Sequence, residues 1–144
     1  MEISTRHRVT DVNDTSPRIR WARRGYVLFA GTFVIGVAIQ VFIAGMAVFV
    51  DPVNWGMHAG FVHVLEFLSL AMLVSAFLGQ LPRELKWFPV VLFVLIGVQY
   101  ATALGFSNSV VAAIHPVNAL VIFWGAVSTT RRAWPWASGT AKTA

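Results

Sequence analysis

Four long segments that are nearly free of charge limit the folds open to this chain. A transmembrane helix needs about 20 predominantly apolar residues, and every one of the four is long enough. The whole chain is 57% hydrophobic and only 12% charged, whereas a soluble domain is typically about a quarter charged. The sequence therefore predicts an all-α membrane domain over residues 25–132, with spans at 25–50, 52–81, 87–106 and 109–130.

The basic residues give the four spans an orientation. An even number of spans places residues 1–24, the loop at 82–86 and the chain after residue 130 on one side, and all eleven Lys and Arg residues lie there. The positive-inside rule then predicts that both termini are cytoplasmic in the cell membrane. Because these residues set topology and face anionic lipid, the lipid bilayer is the expected partner and no nucleic acid is required.

The connections between spans are short, so neighbouring helices are expected to be antiparallel. This predicts a transmembrane up-down-up-down four-helix bundle, with residues 1–24 as a basic arm lacking fixed structure and residues 133–144 as a cytoplasmic tail. Small residues at helical spacing indicate close helix contacts; they are Gly56 and Gly60, followed by Gly97, Ala101 and Gly105.

Several kinds of chemistry are excluded by what the sequence lacks. The chain has no cysteine, which removes disulfides, thiolate catalysis, thiolate metal sites and covalent haem attachment. It has no nucleophile elbow, no phosphate-binding glycine loop and no paired carboxylates, so we do not expect an enzyme. The histidines and the single intramembrane carboxylate also lack the spacing of a zinc or di-iron site.

The segment WGMHAGFVHVLEF places His58, His63 and Glu66 inside a predicted span. Ionisable groups are costly in a bilayer, and their presence raises a functional hypothesis. The alternative is structural: these groups satisfy one another, and Gln40, Gln99 and Asn118 join helices through hydrogen bonds.

The two halves of the chain repeat one pattern. Gln40, a turn and His58 in the first pair of spans correspond to Gln99, a turn and His115 in the second. The Gln-to-His separations, 18 and 16 residues, match only loosely.

The starts of the second and fourth spans match more closely. The expected N-cap of the second span is Asp51, with Pro52 at the first helical position, and that of the fourth span is Asn108. His58 and His115 each follow their cap by seven residues, which is about 10 Å along a helix. The two imidazoles are therefore predicted to lie at the same depth.

Two facing neutral imidazoles can supply both axial ligands of a b-type haem. Low dielectric favours the neutral form that such ligation needs. His58 and His115 are thus the predicted metal ligands, with Gln40, Gln99 and His63 as groups that hold the ligands or face the propionates. Small residues at Ala59, Gly60, Ala112 and Ala119 are expected beside the porphyrin.

His63 points about 140° away from His58 around the helix. It could replace His58 opposite His115 if the predicted cap is misplaced by one turn. Otherwise His63 and Glu66, three residues apart, form a polar pair that is either structural or a proton relay.

The stretch IQVFIAGMAVFVDPVNWGMHAGFVHVLEF resembles one four-helix half of heme A synthase. Residues 25–132 also resemble a family of small, uncharacterised prokaryotic four-span membrane proteins, through Gln40, Gly45, the His58–His63 pair, Leu81-Pro82-Arg83 and HPVNAL at 115–120. The resemblance implies a bis-histidine site at His58 and His115. It does not imply synthase activity, because the synthase has two such halves.

Three functions remain open from the sequence. The first is a small cytochrome b-like protein for electron transfer, haem handling or redox sensing, working with a redox partner or as a homodimer. The second is a cofactor-free accessory protein that binds partner helices or lipids. The third is a proton or small-molecule transporter that uses His63 and Glu66 and acts as an oligomer.

Overall fold

The computed structural model describes residues 16–107 and 109–141 and contains four long helices. No strand occurs in those residues, so the predicted all-α fold is confirmed. The helices are α1 (Pro17–Phe49), α2 (Asn54–Leu78), α3 (Arg83–Tyr100) and α4 (Ile114–Ser138). A π-helical segment, Ala101–Gly105, continues α3, and a 3₁₀ turn, Val110–Ala113, leads into α4.

The helices form a closed ring in which α1 and α3 each pack against both α2 and α4. All four helical segments are long and apolar enough to cross a bilayer, which indicates a multi-pass membrane protein. We call the end near residues 17, 78, 83 and 138 the basic end, and the opposite end the far end. Large apolar side chains such as Phe42, Phe67 and Trp124 are exposed on the outside of the ring, as lipid-facing residues are.

The packed core lies in the half of the bundle nearer the basic end. Tyr26 and Phe33 of α1, Met72 of α2 and Leu92 of α3 are all fully buried there. The Tyr26 hydroxyl donates to the Leu85 carbonyl oxygen at 2.9 Å, which satisfies the one polar atom of that ring. The other core residues pack with these four side chains and come from all four helices.

Arg23 closes the basic end of this core. Its Nε–H donates to the Gly79 carbonyl oxygen at 2.9 Å, and its guanidinium lies 5.2 Å from the centre of the Trp136 ring. Arg23 therefore joins α1 to the α2–α3 turn and to α4.

The first and last helices extend further than the sequence predicted. Residues 17–24, predicted as part of an arm without fixed structure, form the first turns of α1, because Pro17 is compatible with the first turn of a helix. α4 continues to Ser138, six residues into the predicted tail. The rest of the predicted arm, residues 1–15, lies outside the described residues.

The predicted start of the second span is two residues early. Asp51 Oδ1 accepts a hydrogen bond from the Val53 N–H at 2.8 Å. The carboxylate thus caps a turn that contains Pro52, and α2 begins after that turn at Asn54. The predicted cap Asn108 lies outside the described residues.

The glycines predicted to bring helices together do not do so within the bundle. A Cβ added at Gly56, Gly60, Gly97 or Gly105 would meet nothing within 4 Å in the described residues beyond the backbone of its own helix. The close approaches occur instead at Gly36, where a Cβ would lie 2.7 Å from Leu65 Cδ2, and at Gly125, packed against Phe88.

Candidate functional site

A cavity of about 650 Å³ occupies the half of the bundle nearer the far end. All four helices line it, and its walls are almost entirely apolar. This volume is within the ordinary range for small-molecule and cofactor sites. Four polar side chains with matched sequence positions face the cavity: Gln40, His58, Gln99 and His115.

The structure brings His58 and His115 together, as the sequence predicted. Their ring centres are 6.2 Å apart, and the ring planes are inclined by 48°. Trp55 lies edge-on to His58, with ring centres 5.5 Å apart, one turn nearer the start of α2.

Each imidazole is held by a backbone carbonyl of the preceding helix. His58 Nδ1 lies 3.1 Å from the Gln40 carbonyl oxygen, and His115 Nδ1 lies 3.1 Å from the Gln99 carbonyl oxygen. A carbonyl oxygen can only accept, so each Nδ1 carries the proton in these bonds. In the neutral form this leaves Nε2 of both rings with a lone pair, which is the usual arrangement of a metal-binding histidine.

The two glutamine side chains form different hydrogen bonds. Gln40 Nε2 donates to the His58 carbonyl oxygen at 2.7 Å, while Gln40 Oε1 is buried and accepts no hydrogen bond from the described residues. Gln99 Oε1 accepts from Asn118 Nδ2 at 3.0 Å, and the same Nδ2 lies 2.8 Å from the Leu95 carbonyl oxygen. Both glutamines therefore connect the two helices of their own half.

The π-helical segment lies beside His115. Thr102 Oγ1 donates to the Val98 carbonyl oxygen at 2.8 Å and lies 3.4 Å from His115 Nδ1. π-Helical turns are rare and occur frequently at functional sites. Here the altered backbone and the threonine hydroxyl lie next to the carbonyl that holds the His115 ring.

The distance between the two ring centres, 6.2 Å, leaves room for one metal atom between the imidazoles, because a metal–imidazole bond is about 2 Å long.

His63 does not line the cavity. Its side chain is 70% exposed on the outside of the bundle, where Nδ1 pairs with Glu66 Oε2 at 2.9 Å. The structure therefore does not bring His63 to the cavity or opposite His115, although the sequence placed it among the groups of the cofactor site. The helical angle between His58 and His63 had indicated this outcome.

Two of the four predicted small wall residues line the cavity. Ala59 and Ala119 do so, but Gly60 and Ala112 do not. Asn118 joins α3 to α4 by hydrogen bonds, as the sequence predicted. Thr102 was missed as a contributor to the site.

Comparison with known proteins adds one match. The sequence model of a protein family, described as a family of unknown function (DUF6220), matches residues 40–105. The matched region begins at Gln40 and includes His58 and Gln99, but it ends before His115. No curated protein matches the chain significantly, and no solved structure does so. The likeness to heme A synthase stays an expectation from sequence motifs.

Proposed function

We propose that this chain binds a b-type haem between His58 and His115 and functions in electron transfer, haem handling or redox sensing in the membrane. The observation that carries the proposal is the pair of imidazoles on the wall of an apolar cavity, with ring centres 6.2 Å apart. Each imidazole has its Nδ1 engaged by a carbonyl, so its Nε2 is available for a metal.

The donor set favours a macrocycle over a simple metal ion. Among residues 16–107 and 109–141, no group of three or more His, Asp or Glu side chains could hold a metal ion. Two imidazoles provide only two ligands, and a tetrapyrrole supplies the other four. The absence of cysteine restricts the haem to a non-covalent form.

Bound haem would supply one-electron chemistry, and His58 and His115 would be the residues that hold it. The chain's own residues would set the conditions for it. The Gln40 and Gln99 carbonyls would fix the orientation of the His58 and His115 rings. An imidazole that donates such a hydrogen bond is also a stronger metal ligand. Apolar wall residues such as Ala59, Val62 and Ala119 would surround the group with a low-polarity environment.

The test is the visible spectrum of the full chain purified from haem-replete cells. Oxidised and dithionite-reduced protein should show a sharp Soret band and, on reduction, separate α and β bands. His58→Ala and His115→Ala should each lose this spectrum while keeping the far-UV circular dichroism of a helical bundle.

His63→Ala is the matched control, because it removes an imidazole from the same helix but outside the cavity. It should leave the spectrum intact. A colourless protein after haem addition would overturn the proposal and favour a cofactor-free accessory protein. Loss of the spectrum in His63→Ala with retention in His58→Ala would overturn the ligand assignment.

The orientation proposed for this function places the basic end at the cytoplasm of the cell membrane. The support is the asymmetric charge: Arg18, Arg83, Lys86 and Arg131 all lie at the basic end. The haem site would then lie in the outer half of the bilayer.

A further inference from the structure

One face of α2 carries His63 and two open glycines, and no helix among the described residues covers it. Gly56, Gly60, His63 and Phe67 recur at intervals of four, three and four residues, so they share one face. Phe67 is 69% exposed, the His63 side chain is 70% exposed, and both glycines have open space where a Cβ would stand. We call these four residues the α2 outer face; Glu66 lies at its edge, beside Tyr100 of α3.

The polar pair of this face lies at mid-depth in the bilayer. His63 and Glu66 follow Asn54 by nine and twelve residues in a helix of 25 residues, which places them about 14 and 18 Å along a length of about 37 Å. Ionisable residues at that depth almost always face protein or water, because lipid cannot solvate them. The pair is therefore expected to be covered.

We propose that a second copy of this chain covers the α2 outer face, forming a two-fold symmetric dimer. Every copy has the same orientation in the membrane, so each presents its histidine and glutamate at the same depth. A second copy therefore matches the face in both depth and charge. A two-fold axis along the membrane normal makes the contact self-complementary, with His63 of each copy beside Glu66 of the other.

The pair has unused hydrogen-bonding capacity for such a contact. His63 Nδ1 is bonded to Glu66 Oε2 within one copy. The ring Nε2 of His63 has no hydrogen-bond partner among the described residues, so it is available to a polar group of a second copy. Gly56 and Gly60 allow the two backbones to approach closely.

Disulfide cross-linking of the full chain in membranes tests the contact directly, because the natural sequence has no cysteine. Phe67→Cys should give an oxidant-dependent dimer, since a disulfide needs Cα atoms within about 7 Å. Ile35→Cys is the matched control: it lies at similar depth on α1 and is 62% exposed. It should remain monomeric on the gel.

A second measurement tests how strongly two copies associate. Self-association in lipid bilayers, followed by energy transfer between labelled copies, should weaken about tenfold to a few hundredfold in His63→Leu/Glu66→Leu. Gly60→Leu should weaken it as well, whereas Gly97→Leu, at an equally open glycine on α3, should not. Circular dichroism of each variant checks that the bundle still folds.

Several results would overturn the dimer: no self-association in bilayers, equal cross-linking at positions 35 and 67, or undiminished association in the double leucine variant. Association with another protein in place of a second copy would also overturn it. None of these readouts depends on haem, so this proposal and the haem site can fail separately.

Discussion

Gln40 and His58 exchange two hydrogen bonds across the α1–α2 interface. The Gln40 side chain donates to the His58 backbone, and the His58 ring donates to the Gln40 backbone. The amide thus holds the helix that carries the histidine, while the main chain holds the imidazole itself.

Replacing Gln40 by leucine should weaken haem binding without abolishing it. Gln40→Leu loses the bond from Nε2 to the His58 carbonyl, but the carbonyl that holds the ring is unchanged. The bis-histidine spectrum should persist with haem affinity reduced by up to about tenfold, at the lower end of the effect of removing a group that supports a metal ligand. A haem titration measures this, and complete loss of the Soret band would contradict it.

Asn118→Leu should destabilise the α3–α4 pair. It removes the bonds from Nδ2 to the Leu95 carbonyl and to Gln99 Oε1. Interhelical hydrogen bonds in membranes are worth about 0.6 kcal/mol each on average, so a loss of about 1–2 kcal/mol in the free energy of unfolding is expected. Unfolding in mixed detergent measures it, with Val117→Leu, at an exposed neighbour, as a control expected to change little.

Gly36→Val should destabilise the bundle by about 1–3 kcal/mol, the usual cost of overpacking. Even the first added carbon would lie 2.7 Å from Leu65 Cδ2, at the contact of α1 with α2. Gly45→Val, on the same helix, meets no atom within 4 Å at its Cβ and should leave the unfolding curve nearly unchanged. Equal effects from both substitutions would show that backbone freedom, rather than helix contact, decides the cost.

Arg23→Gln should lower stability because it removes a buried guanidinium that contacts Gly79 and Trp136. The expected cost is about 1–3 kcal/mol, and Arg23→Lys should not restore it, because an ammonium lacks the planar donor fork. Arg24→Gln, at the exposed neighbouring position, serves as the control. Full stability of Arg23→Lys would mean that only the charge matters.

Reporters fused to the C-terminus should be active only in the cytoplasm. The reason is the positive charge at the basic end, which disfavours translocation of the adjoining segments. A fusion of alkaline phosphatase, active only outside the cytoplasm, and a fluorescent protein, active inside, form the matched pair. Phosphatase activity of the fusion at residue 144 would contradict the proposed orientation.

The sequence predicted the helical bundle because four apolar segments joined by short connections leave little alternative in a bilayer. It also predicted that His58 and His115 meet, and their ring centres are 6.2 Å apart. The equal offset from the helix starts on which that prediction rested does not hold, because α2 begins at Asn54 and α4 at Ile114. Each ring is instead held by a backbone carbonyl of the preceding helix.

Other features depend on contacts that no periodic pattern encodes. The π-helical segment places the Thr102 hydroxyl within hydrogen-bonding distance of the Val98 and Gln99 carbonyls. A single threonine in an apolar span does not predict this arrangement. Gly36 and Gly56 look alike in sequence, yet only Gly36 faces a neighbouring helix of the chain. Which glycine is internal depends on how the four helices are rotated within the bundle.

The packed core and the cavity meet in the middle of the bundle. Phe33, Leu65 and Ile122 belong to the core and also line the cavity. A substitution at one of these shared residues therefore changes the shape of the cavity and the packing of the helices together. The size of the cavity cannot be altered at that level without a cost in stability, whereas Ala59 and Ala119 line the cavity outside the core.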